Sequence, residues 1–148
     1  MQIAIRQADA ESIRCWLPLF LAYLDFYRVA QPAEACAAFL EQRLRKNEAV
    51  VFLAEDRAGI HGFALLYPGF SSLSLHPQWL LHDLFVAPAC RGGGVGRSLL
   101  EHCQAHVAAL GGGITLQTAH GNLHAQRLYE QSGFKLDSEF RVYEWNAG

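Results

Sequence analysis

The chain has 148 residues, of which 51% are apolar and 18% charged, and its net charge is −2. That composition suits one folded domain around one core, and it excludes both a disordered chain and a strongly basic surface for nucleic acid. No apolar run reaches bilayer-spanning length, so no membrane partner is expected either.

The residues 1–6 lack a basic stretch followed by an apolar core, so no signal peptide is expected. Cys15, Cys36, Cys90 and Cys103 form no C-x-x-C pair and the histidines no H-E-x-x-H pattern. A cytoplasmic protein with free thiols and no metal site is the expectation.

Ile3 and Ile5 alternate with polar neighbours and predict a strand from Gln2 to Gln7. Asp9 can cap a helix carrying Ile13, Trp16, Leu17, Phe20, Leu21 and Leu24. That helix ends in aromatics around one acid, Tyr23-Leu24-Asp25-Phe26-Tyr27. Pro32 suits the first turn of a second helix through Phe39, Leu40 and Leu44. Ala49–Glu55 and Ile60–Tyr67 read as strands joined by the turn Asp56-Arg57-Ala58-Gly59. Pro68–Gln78 reads as a loop.

Leu80–Val86 is an apolar run that reads as a buried strand, stopped by Pro88. The glycine run Arg91-Gly92-Gly93-Gly94-Val95-Gly96 follows, and then Val95, Leu99, Cys103, Val107 and Leu110 recur at helical spacing. A strand thus feeds a glycine loop that feeds a helix start. Such a start presents unpaired N–H groups at the positive end of a helix dipole, and glycine admits a ligand close to the backbone. The physical reading is a phosphate cradle, set against a plain flexible turn. The loop has no Lys-Ser or Lys-Thr of the ATP type and fails G-x-G-x-x-G at Arg97; it satisfies R-x-x-G-x-G at Arg91, Gly94 and Gly96.

Gly111-Gly112-Gly113 stops that helix, Ile114–Thr118 reads as a strand, and Asn122–Ser132 as a helix closed by Gly133. Phe134–Leu136 and Phe140–Trp145 alternate and predict two last strands. The order β-α-α-β-β-β-α-β-α-β-β makes this an α/β (α+β) chain, a mixed sheet covered on both faces.

The loop Arg91–Gly96 resembles that of the GNAT superfamily of N-acetyltransferases. So does Asn122-x-x-Ala125-x-x-Leu128-Tyr129-x-x-x-Gly133-Phe134, which matches the family's second signature without departure. The resemblance implies a GNAT fold across residues 1–148, a mostly antiparallel sheet of six to seven strands that splays after its fourth strand. It also implies acetyl-CoA as cofactor, coenzyme A as product and no metal. The loop from Gly92 to Arg97, with Arg91, would grip the pyrophosphate; Arg97 reads equally as a solvated surface residue. Backbone groups of Leu84, Phe85 and Val86 would meet the pantetheine arm; these residues read equally as plain core, and both readings hold together because the ligand would use the backbone.

In the family, the Tyr of the second signature is a general acid at the coenzyme sulfur and the Asn touches the coenzyme arm. Tyr129 suits the first role because a phenol of pKa about 10 stays protonated at neutral pH. Read alone, Tyr129 is a core tyrosine and Asn122 a helix N-cap.

The stretches YLDFY and LLHDLFVAP resemble the polyamine/histone-type and D-amino-acid acetyltransferase-like branch. Asp25, Tyr27 and His82 are then candidate contacts to a small-molecule amine, and His82 or Asp83 the acceptor of its proton. Polyamine enzymes carry Glu-Asp where His82-Asp83 stands here, and a histidine attracts a cation less but can take its proton. Strand alternation puts His82 and Asp83 on opposite faces. His120 is a further candidate base or a solvated loop histidine. The branch implies a homodimer, with Phe140–Trp145 the candidate contact. A non-catalytic acyl-CoA sensor, or an acetyltransferase for protein N-termini or lysines, is the alternative.

Overall fold

The computed structural model describes residues 2–148, which fall into two compact units, one through Gln117 and one from Thr118 to Gly148. The first contains β1 (Ala4–Gln7), α1 (Ile13–Phe26), α2 (Ala33–Arg45), β2 (Val50–Asp56), β3 (Gly59–Tyr67), β4 (Phe70–Ser71), β5 (His76–Val86), α3 (Val95–Ala109) and β6 (Gly113–Leu116). The second contains α4 (Leu123–Gln131).

β1, β2, β3 and β5 pair antiparallel in that order, β4 pairs with the start of β5, and β6 runs parallel to β5. The result is a mixed sheet of six strands. Its two faces follow from the pleat. Val51, Leu53, Phe63 and Leu65 point to α1 and α2, where they join Trp16, Leu17, Ala37 and Leu40 in one buried cluster. Phe52 and Gly62 point the other way, toward His106, Leu99 and Val95 of α3.

Local chemistry accounts for the ends of these elements. Asp9 and Ser12 cap each other's backbone and start a short 3-10 turn that runs into α1. Pro18 stands inside α1, where it removes one helical hydrogen bond. α3 ends in a Schellman turn: Gly111, at φ 72°, donates to Ala108 O, and Gly112 donates to Val107 O.

Two predicted regions differ. Residues 68–78 are not all loop: β5 begins at His76, and Phe70–Ser71 pairs with His76–Pro77. Pro77 is tolerated because the pairing N–H comes from Gln78, which donates to Gly69 O at 2.9 Å. The two strands predicted at the C-terminus are not formed, and residues 134–148 carry no regular structure. Alternation makes a strand only where an edge can pair with it, and the second unit holds no other strand among the described residues.

Phe63 is fully buried and its ring meets Trp16, Phe20, Tyr23 and Phe85 at centroid distances of 5.3 to 6.4 Å. Phe63→Ala is expected to lower unfolding free energy by about 3–5 kcal/mol, read by urea denaturation.

Candidate active site

The register between β3 and β5 breaks at one point. Leu65 opposes Asp83 and Leu66 opposes Leu81, so His82 opposes no residue. It is the extra residue of a β-bulge, which resets the alternation along the strand. Beyond the bulge Asp83 and Phe85 face α1; before it Leu81 follows Leu66 toward the opposite face. The expectation that His82 and Asp83 lie on opposite faces is therefore corrected. The bulge turns both to the α1 side, where His82 Nδ1 is 2.9 Å from Asp83 Oδ1.

Their exposures differ sharply: 55% of the His82 side chain is open against 7% for Asp83. A buried carboxylate needs donors, and Asp83 Oδ1 has a second one in the Tyr23 hydroxyl of α1. The ring of Tyr67 on β3 meets the His82 ring edge-on at 5.4 Å. Hydrogen bonding to Asp83 holds the His82 imidazole above its ordinary value near 6.5. Burial, with the Asp83 charge adding to it, pushes the Tyr67 hydroxyl up to about 12.

The bulge also marks where the sheet opens. Parallel pairing of β5 with β6 runs from Gln78–Gly113 to Leu81–Leu116 and stops. From His82 to Val86, among the described residues, β5 has a strand partner only on its β3 side. The other edge of Leu84, Phe85 and Val86 has no strand partner among the described residues.

The glycine loop follows β5 through a 3-10 turn, Pro88–Cys90. Arg91 folds back on the strand end: its Nε donates to Val86 O at 3.0 Å, and its guanidinium lies 5.5 Å from the Phe26 ring and 5.4 Å from the Phe85 ring. Gly92 and Gly94 have φ of 86° and 83°, left-handed backbone that favours glycine. Arg91–Gly94 are exposed, and a Cβ at Gly92 or Gly94 would meet nothing within 4 Å. Gly94 is the N-cap of α3, and the first helical bond is from Ser98 N to Gly94 O. Val95 is buried and pins the helix start against Gly62, Gly96 is half-buried and Arg97 exposed.

Asp25 is not brought to this cluster. It stands two residues from Tyr23, about 200° round the helix, and lines a hollow with Leu21, Val29 and Pro32 at the α1–α2 turn. Tyr27 packs its ring edge-on against Tyr23 and Phe26, each at 5.1 Å.

In the second unit, Asn122 is the N-cap of α4, its Oδ1 accepting from Ala125 N at 3.2 Å. Gln126 Nε2 ties down the carbonyls of Ala119 and His120, and the His120 residue itself is exposed. Gly133, at φ 93°, closes the helix in a Schellman turn in which Phe134 N donates to Tyr129 O and the two rings meet at 5.9 Å. The spacing Tyr-x-x-x-Gly-Phe thus has a structural cause of its own.

Tyr23 and Tyr67 were not among the residues picked out from the sequence. For Tyr23 a signal existed: it continues the stripe Trp16, Phe20 on the sheet-facing side of α1, and a hydroxyl on an apolar stripe asks for a buried acceptor. His102 and His106 stand four apart on α3, and His120, before α4, stands four from His124 on it, a spacing that can serve metals. The first pair instead packs on aromatic rings, His102 on Phe52 and His106 on Phe52 and Trp79. Among the described residues no group of three or more His, Cys, Asp or Glu could hold a metal ion.

A family model described as the acetyltransferase (GNAT) family matches residues 16–134. The chain belongs to the GNAT family. This GNAT chain is 41% identical over 144 residues to the uncharacterized N-acetyltransferase YhfO of Bacillus subtilis (strain 168), covering 97% of each. It is 27% identical over 141 residues to the D-amino-acid N-acetyltransferase HPA3 of Saccharomyces cerevisiae, covering 92% of this chain and 87% of that one. The crystal structure of a probable acetyltransferase matches with a TM-score of 0.89 and 38% identity, over 100% of this chain and 99% of that one. GNAT enzymes use acetyl-CoA, and the open glycine loop ahead of α3, with the unpaired edge of β5, fits such a ligand.

The two loop glycines offer a test of the backbone argument. Gly94→Ala puts a Cβ on left-handed backbone and should cost about 1–2 kcal/mol. Gly93→Ala lies outside that region, with only Cys90 O near at 3.9 Å, and should stay within about 0.5 kcal/mol. Urea denaturation of the two variants reads the difference.

Proposed function

We propose that the protein transfers an acetyl group from acetyl-CoA to the primary amine of a small molecule. The observation that carries this reading is the coincidence, at one point of β5, of the bulge that exposes His82 and the end of pairing with β6. A proton acceptor and an unpaired strand edge stand side by side. Bound there, acetyl-CoA supplies an activated acetyl thioester. The main-chain groups of Gly92 to Arg97 would hold its diphosphate, and the edge of Leu84 to Val86 its arm.

His82 Nε2 takes the proton from the incoming ammonium. Asp83 sits behind His82 and is too buried to meet the amine directly. Tyr129 and Asn122 take their roles from the second signature alone: Tyr129 Oη would supply a proton to the coenzyme sulfur, and Asn122 would contact the coenzyme arm. The acceptor carries little positive charge, because the carboxylate nearest His82 is covered by two donors and offers no open anion to a polycation. The 27% identity to a D-amino-acid N-acetyltransferase supports an amino acid or a similar amine over a polyamine.

A thiol-release assay across D- and L-amino acids, polyamines, aminoglycosides and basic peptides tests the reading. Turnover with a singly charged small amine is expected; coenzyme binding by calorimetry with no turnover on the whole panel would favour a non-catalytic acyl-CoA sensor. His82 must be unprotonated to act, and Asp83 raises its pKa. Activity should therefore climb with pH through a midpoint above the ordinary value of about 6.5, and His82→Gln should remove that limb.

Tyr129→Phe should lower kcat by roughly 100-fold or more while leaving coenzyme affinity nearly unchanged. Stopped assays paired with calorimetry separate the two, and unaltered turnover would refute the acid role.

A further inference from the structure

We propose that Tyr23 is a positioning residue for amine deprotonation, holding the Asp83 carboxylate so that His82 keeps its proton on Nδ1 and presents Nε2 outward. This rests on the reading that His82 accepts the amine proton.

Both donors converge on one atom. Asp83 Oδ1 accepts from Tyr23 Oη at 2.5 Å and from His82 Nδ1 at 2.9 Å. A neutral imidazole that gives its Nδ1 proton to a carboxylate carries its lone pair on Nε2. With Asp83 behind the ring and 55% of the His82 side chain open, Nε2 is the nitrogen left to meet an amine.

Tyr23 contributes two things to that arrangement. Its hydrogen bond fixes the buried carboxylate in the rotamer that meets Nδ1. It also shares the oxygen's negative charge, so the carboxylate raises the basicity of His82 less than it would alone. The hydroxyl is delivered accurately because its ring is wedged among Phe20, Phe63 and Phe85, with centroids 5.6 to 5.9 Å away.

The charged and titratable groups around His82 are Asp83 on its own strand, Tyr67 on β3 and, through Asp83, Tyr23 on α1. Arg43 of α2 acts on Tyr67 by its charge. Tyr67 stays a neutral phenol through the working range, since its hydroxyl is pushed up to about 12. The titration of His82 therefore reports mainly on Asp83 and on what Asp83 is bonded to.

Tyr23→Phe keeps every ring contact and removes only the hydroxyl. Nitrogen-15 spectra of the histidine rings in the full chain, with His82→Gln identifying the His82 signals among seven histidines, give its midpoint and tautomer without any turnover. In Tyr23→Phe the midpoint should rise by roughly half a pH unit to one unit, and the acid limb of kcat/KM should move up with it while kcat falls roughly tenfold. In Asp83→Asn the midpoint should fall, with Nε2–H tautomer appearing.

A folded Tyr23→Phe whose His82 midpoint and pH profile match the wild type would overturn the positioning role and leave the base assignment standing. Full turnover in His82→Gln, with the acid limb in place, would overturn the base assignment itself, and Tyr23's part in deprotonation with it.

Discussion

One residue too many in β5 sets the geometry of the site. Because His82 has no partner on β3, the strand turns over its faces there. Without the extra residue, His82 and Asp83 would point to opposite sides of the sheet, and Asp83 would need another donor or an open path to water. With it, an exposed imidazole and a buried carboxylate share one hydrogen bond on the α1 side. The loss of ladder pairing at that point also coincides with the end of β6, so β5 loses one strand partner beside His82 and Asp83.

Around that point the molecule is packed with rings. A chain of rings runs from Trp16 in the core through Phe63 and Tyr23 to Phe85 and Phe26, and the Arg91 guanidinium rests on the last two. The core therefore bears directly on the C-terminal half of β5, on Asp83 and on the start of the glycine loop. Aromatic packing of this kind holds side chains in few rotamers, which suits a site in which an error of an ångström matters.

Much of this was readable in the residues. β1, both N-terminal helices, the hairpin of β2 and β3, and α3 all announce themselves by period and by caps, as Asp9 and Gly111 illustrate. The glycine loop was readable for the same reason: its left-handed turns at Gly92 and Gly94 are a local demand of the backbone. What escaped depends on pairs of distant residues. A bulge is a mismatch between two strands and leaves no mark on one of them. The bond from Tyr23 to Asp83 joins residues 60 apart. At the C-terminus Phe140–Trp145 alternates as a strand does, although a strand also needs a neighbour. Pro77 had the opposite effect, disguising the start of β5 as a loop.

The connection from α3 into β6 acts as a ruler. Any side chain at Gly112 would strike the backbone oxygen of Pro77 at 2.7 Å, whereas one at Gly113 would meet only the movable end of the Gln78 side chain. Gly111 makes the left-handed turn at φ 72° and Gly112 lets the chain pass Pro77, and together they lead β6 to its place beside β5. An inserted or deleted residue there would slide the parallel ladder along β5 and shift the point where its pairing ends relative to His82.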